Sequence, residues 1–130
     1  MNPYQAAAQS YSSMKVQTSV VDASPHRLIQ MLFEGALERI AQAKGAMLRN
    51  QVSKKGELIG KAVAIVGGLQ GSLNDNEGGE LAKNLDGLYD YIMRRLSKAN
   101  FDNDPAILDE CGRLLGELKS GWDAIADEVR

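Results

Sequence analysis

Five glycines fall within fourteen positions in "GGLQGSLNDNEGGE", residues 67 to 80. A phosphate-cradling loop of that density needs a buried strand before it. It also needs Lys and Ser or Thr just after its last glycine, to meet the phosphates and their metal. Here Gly79 is followed by Glu80, whose charge repels phosphate, and no Lys-Ser or Lys-Thr pair follows. His26 is the single histidine, and a catalytic imidazole needs a positioned carboxylate or nucleophile that the sequence does not supply. A phosphorelay transfer domain would expose its histidine in mid-helix. His26 instead stands near a helix start, without a Lys-Gly pair just after it, so a surface or capping role in the first turn is expected. Cys111 is the only cysteine, which excludes an internal disulfide and any multi-cysteine metal site. No Glu-x-x-His pair for a di-iron bundle and no Cys-x-x-Cys-His haem site occur. The expectation is a protein that is not an enzyme, with no catalytic residue, no metal and no cofactor.

The bulk numbers agree. The chain has 130 residues, 44% apolar and 25% charged, enough for one domain with a single core. A net charge of −2 gives no basic footprint for nucleic acid. No run approaches eighteen apolar residues, so no membrane insertion is expected. The polar N-terminus lacks the pattern of a signal peptide, and the lone cysteine suits a reducing compartment. The expected location is the cytoplasm (cytosol).

Residues 1–23 are rich in Ser, Gln and Ala with isolated large side chains, and read as a flexible arm. Residues 24–130 read as one helical domain. "SPHRL" and "DPAIL" are helix starts, with Ser24 and Asp104 as N-caps and Pro25 and Pro105 at the first helical position. Helices are expected over 25–49, 53–75, 79–99 and 104–128. Ile59, Ala62, Val66, Leu69 and Leu73 keep a period near seven, as do Leu108, Cys111, Leu115, Leu118, Trp122, Ile125 and Val129. Such seams pack helices at shallow angles. With short connections the economical fold is all-α, an antiparallel up-down-up-down four-helix bundle. In that fold Gly78 and Gly79 supply the reversal between the second and third helices. Gly60, Ala64, Gly67 and Gly71 make a small-residue stripe beside the second helix's seam. It reads either as a flexible outer face or as a furrow for another chain.

The last helix confines its large apolar residues to the one stripe a core needs. On the third, Leu81, Leu85, Leu88, Ile92, Leu96 and Ala99 make the core face. Tyr89 and Met93 on one flank and Tyr91 on the other widen it to about 200°. The first helix, with Phe33 among its apolar residues, is as broad. A bundle has few ways to hide so much, and a groove for an amphipathic segment of a partner is the functional reading. Phe33, Tyr89 and Tyr91 are therefore expected at a partner surface, with Asn84, Leu88 and Arg95 on the Tyr91 flank. Leu115, Leu118 and Trp122 are expected in the core. Tyr11 and the arm's Tyr4 are expected to plug the groove when no partner is bound, since a tyrosine ring buries while its hydroxyl stays hydrogen-bonded at the rim.

The blocks "ASPHRLIQMLFEGALERIAQA", "KAVAIVGGLQGSLN", "GGELAKNLDGLYDYIMRRLSKAN" and "LLGELKSGWDAI" together resemble the flagellin-specific export chaperones of the flagellar type III secretion system. The match runs in order from about Ala23 to Ile125, and "NPYQAAAQSY" looks like the family's arm. Gly67, Gly68 and Gly71 depart from it, standing where larger or polar residues are usual. The resemblance implies an antiparallel bundle that binds the disordered C-terminal segment of flagellin, prevents premature polymerisation and delivers it to a component of the flagellar export gate. An anti-sigma factor or a co-chaperone are further partners it suggests. A regulatory binder of such a protein, and a histidine phosphotransfer bundle, are the alternative functions.

Overall fold

The computed structural model describes residues 22–73 and 75–125, with the backbone alone at 75–78. Four helices follow one another: α1 Pro25–Leu48, α2 Val52–Gly71, α3 Asp75–Asp102 and α4 Pro105–Ala124. The two starts read from the sequence are built as expected. The Ser24 hydroxyl accepts from the Arg27 N–H at 3.1 Å, and the Asp104 carboxylate accepts from the Ala106 N–H at 2.9 Å. Each cap satisfies a donor that the first helical turn leaves open.

The two stops use asparagine. Asn50 and Asn103 take the left-handed conformation, with φ of 59° and 53°. The next residues close back onto the helix, Gln51 N–H to Ala46 O at 2.9 Å and Asp104 N–H to Ala99 O at 3.0 Å. This is the Schellman arrangement with Asn in the position glycine commonly holds. It extends α3 to Asp102, beyond the expected end at 99. At the other end of α3, Gly79 has φ 56° and ψ −133° inside the element, a conformation open to glycine alone. Residues 75–78 thus form a short turn before the kink, and the regular helix begins where the glycine pair marked it. The second helix stops at Gly71, short of the expected 75, where the last turn tightens: Ser72 N–H reaches Leu69 O and Leu73 N–H reaches Gln70 O, each at 3.2 Å, and the Ser72 hydroxyl donates to Leu69 O at 2.7 Å.

The helices form a ring in which α1 packs on α2 and α4, and α3 packs on α2 and α4. Hydrogen bonds fix the directions. The start of α1 meets the end of α4 at His26 and Trp122, while Lys44 late in α1 meets Asp109 early in α4. Likewise Lys55 early in α2 reaches Asn100 O late in α3, and Gln70 reaches Asp86 O. Both pairs are antiparallel. The seam of α2 is buried at Ile59, Ala62, Val66 and Leu69. It meets Leu32, Ala36 and Ala43 of α1, Ile92, Leu96 and Ala99 of α3, and Leu108, Cys111 and Leu115 of α4.

Two aromatic residues expected at the surface belong to this core. Phe33 is buried because α1 lies between α2 and α4, and both flanks of its broad apolar arc are consumed. Tyr89 is buried as well, and that burial pushes its phenol up to about 12. It sits one turn before Met93, on the flank that α2 covers. A Cβ added to Gly67 of α2 would lie 3.9 Å from the Met93 sulfur, an ordinary contact distance, so this flank of α3 faces α2. Gly60, Ala64 and Gly71 of the small-residue stripe are exposed.

Candidate functional site

Burial falls away toward one end of the α3–α4 side. On α3, Leu96 and Ile92 are fully buried, Leu88 and Leu85 are half-buried, and Leu81 is 68% exposed. On α4, Cys111 and Leu115 are fully buried, whereas Leu118 and Trp122, expected in the core, are only partly covered. Tyr91 and Cys111 bond across to the adjacent Glu110 and Ile92 respectively, which sets an antiparallel register. Continued along both helices, it runs Leu88, Leu85 and Leu81 opposite Leu115, Leu118 and Trp122. The two gradients therefore meet, and among the described residues they leave a partly exposed apolar strip, a shallow channel, between the N-terminal part of α3 and the C-terminal part of α4.

One polar clamp closes the channel's inner end. The Tyr91 hydroxyl donates to Glu110 Oε2 at 2.6 Å, and Arg95 Nε donates to Glu110 Oε1 at 2.8 Å. Tyr91 and Arg95 are one turn apart on one face, so a single carboxylate serves both. The bonds from Tyr91 and then Arg95 hold the Glu110 carboxyl below its usual range. The same Glu110 bond raises Tyr91 and Arg95, with burial adding to the tyrosine shift. Leu88 and exposed Asn84 continue this face outward. Of the residues singled out from the sequence, Asn84, Leu88, Tyr91 and Arg95 thus come together, Phe33 and Tyr89 do not, and Tyr4 and Tyr11 lie outside the described residues. Glu110 is the participant that sequence reading missed. Its place near the start of α4 suggested only a helix-dipole role, and no sequence signal tied it to a helix fifteen residues away.

A second polar cluster seals the channel's outer end. His26 is buried rather than on the surface. Its ring stacks on Trp122 with centroids 4.6 Å apart and planes 9° from parallel. His26 Nε2 lies 2.8 Å from Trp122 O, so it carries the proton and donates. Trp122 Nε1 returns a bond to His26 O at 3.0 Å. Beside them, Gln30 donates to Asp123 at 2.7 Å and Lys119 does so at 2.6 Å. The Lys119 bond, then the Gln30 bond, hold the Asp123 carboxyl below its ordinary value. This geometry denies His26 the exposed mid-helix position that phosphotransfer requires.

The site's functional groups are two polar clusters with leucines between them. Among the described residues no group of three or more His, Cys, Asp or Glu could hold a metal ion, and no helix is long and apolar enough to cross a membrane. Burial pushes the Cys111 thiol up to about 12, far from a reactive thiolate. What it offers is an apolar channel with a polar rim, the form that accepts the apolar face of an amphipathic segment. Comparison with known proteins points the same way. The family model described as "Flagellar protein FliS" matches residues 7–129. The chain is 54% identical over 120 residues to the flagellar secretion chaperone FliSB of Pseudomonas aeruginosa, covering 92% of this chain and 95% of that one. It is 42% identical over 120 residues to flagellar secretion chaperone FliS of Vibrio cholerae (92% and 88% covered). With the FliS of Salmonella typhimurium it shares 40% over 122 residues (93% and 90% covered). With the bundle, the channel and relatives matched over nearly their whole length, this chain belongs to the Flagellar protein FliS family.

Proposed function

We propose that this protein is a flagellar export chaperone without enzymatic turnover, working in the cytoplasm. It holds the disordered C-terminal segment of flagellin, keeps it from polymerising prematurely and delivers it to the export apparatus. The observation that carries the reading is the channel bounded by Leu81, Leu85 and Leu88 on α3 and by Leu118 and Trp122 on α4. A segment that becomes amphipathic helix on assembly presents one apolar face, and that face fits a trough of leucines with a polar border. Part of the interaction energy goes into ordering the client, so a wide contact still releases at handover.

Titration of a flagellin C-terminal peptide into the protein, followed by calorimetry, tests this. Leu81→Ser removes apolar area from a residue that is 68% exposed, so the fold should tolerate it within about 0.5 kcal/mol. Peptide affinity should fall severalfold with Leu81→Ser and about tenfold or more when Leu88→Ala is added. Full-strength binding by both variants would remove the channel from the binding surface.

A further inference from the structure

On the side of the ring opposite the channel, the second half of α1 and the first half of α2 enclose a groove of about 710 Å³. Arg39, Arg49, Lys54 and Lys61 line it, against the single carboxylate of Glu38. Arg39 is buried and pairs with Glu38 at 3.7 Å, so the cations that the groove exposes beyond its own ion pairs are Arg49 and Lys54, on a chain whose net charge is −2. Lys61 pairs with Glu57 at 3.2 Å one turn away on α2. The Lys61 hydrogen bond and the nearby Lys54 and Lys61 charges hold the Glu57 carboxyl below its usual value. At the turn where the groove ends, Leu48 and Val52 are 64% and 70% exposed. They stand next in sequence to Arg49 and Gln51, which line the groove. A basic wall thus adjoins an apolar ledge.

We infer that this groove is a second docking site, and that its occupant is an acidic segment of another protein carrying an apolar side chain among its carboxylates. Charge complementarity chooses the sign of the partner, and the exposed guanidinium of Arg49 beside Lys54 favours a carboxylate. The exposed ledge chooses a peptide over a wholly polar polyanion, because Leu48 and Val52 offer contact that only an apolar side chain uses. The α1–α2 and α3–α4 sides lie across the ring from one another. An occupant here therefore leaves the channel open, and the two bind together.

The test uses the full chain and a fluorescein-labelled peptide with Glu at helical spacing and Leu between, followed by anisotropy. The peptide should bind at about 50 mM salt and weaken about tenfold by about 300 mM, as screening of exposed charges requires. Arg49→Glu with Lys54→Glu should lower affinity at least tenfold, with an unchanged melting curve and unchanged binding of the flagellin peptide. Leu48→Ser with Val52→Ser should lower it severalfold. No binding at low salt would overturn the proposal, as would equal binding by the double charge reversal. Equal binding of a Leu-free acidic peptide or a single-stranded oligonucleotide would also overturn it, since the groove would then be a general polyanion surface.

Discussion

The corner where α1 begins and α4 ends makes a sharp prediction, because the sequence alone suggested that His26 is dispensable there. His26→Ala removes the donor to Trp122 O at 2.8 Å and the stacked ring at 4.6 Å. A hydrogen bond of this kind contributes about 0.5–1.5 kcal/mol, and an aromatic pair about 0.5–1.5 kcal/mol beyond its buried area. Trp122 O keeps a second donor in Ile125 N–H at 3.2 Å, so no full desolvation penalty is added. The expected loss is about 1–3 kcal/mol, equivalent to a melting point lower by roughly 3–12 °C for a domain of this size. His26→Phe keeps the stack and loses the donor, and should fall between. Trp122→Phe loses the bond to His26 O at 3.0 Å and should cost about 1 kcal/mol. Urea unfolding followed by helical circular dichroism gives each value. The double variant should show a coupling of about 1 kcal/mol between the two rings. A His26→Ala protein within about 0.5 kcal/mol of wild type, or additive single variants, would refute the interlocked geometry.

Two further outcomes follow from the titrating groups. Glu110 is held below the ordinary carboxylate range by its bonds from Tyr91 and Arg95, so its stabilisation is fully present above the unfolded carboxyl's pKa and is lost as pH falls through the folded value. Glu110→Gln should therefore be less stable than wild type near pH 7 in urea, with the gap closing below about pH 4; a gap that stays constant across that range removes the ion pair as its cause. Cys111 is fully buried with its thiol pushed up to about 12, so near pH 8 an aromatic disulfide reagent should react at least about a hundredfold more slowly with the native protein than with the chain in urea, and comparable rates would contradict that burial.

How much of this was legible depends on whether the cause is local. Ser24, Pro25, Asp104 and Pro105 announce their helices because capping is a contact within three residues. The heptad seam of α2 is buried at every step from Ile59 to Leu69, since a period states which face must leave water without saying what meets it. The stops at Asn50 and Asn103 were available to composition too, as asparagine tolerates the left-handed region, but glycine drew the eye. Phe33 and Tyr89 were misplaced for a different reason. Counting apolar arc on one helix ignores how many neighbours that helix has, and α1 has two. For Tyr89 the deciding feature is another helix, α2, which packs on α3. The Tyr91–Glu110–Arg95 clamp and the His26–Trp122 stack span 15 to 96 residues of sequence, and nothing in local pattern pairs them.

These long-range contacts also explain why the described helices leave the α3–α4 side partly exposed. The last turns of α4 have two candidate neighbours, the start of α1 and the start of α3. The polar groups there favour α1: His26 and Gln30 hold Trp122 and Asp123, and hydrogen bonds are directional where leucine packing is not. On α3 the matching positions are Leu81, Leu85 and Leu88, which have no polar claim on α4, and the kink at Gly79 ends the regular helix just before them. Between Glu110 and Trp122, α4 is therefore tied to α3 at one end of the segment and to α1 at the other. Closing the channel would bury leucine surface, at about 25 cal/mol for each Å², but it would break the stack and both bonds at His26. The latch at His26 therefore opposes closure of the trough. That opposition suits a surface that must receive an ordered helix and later give it up.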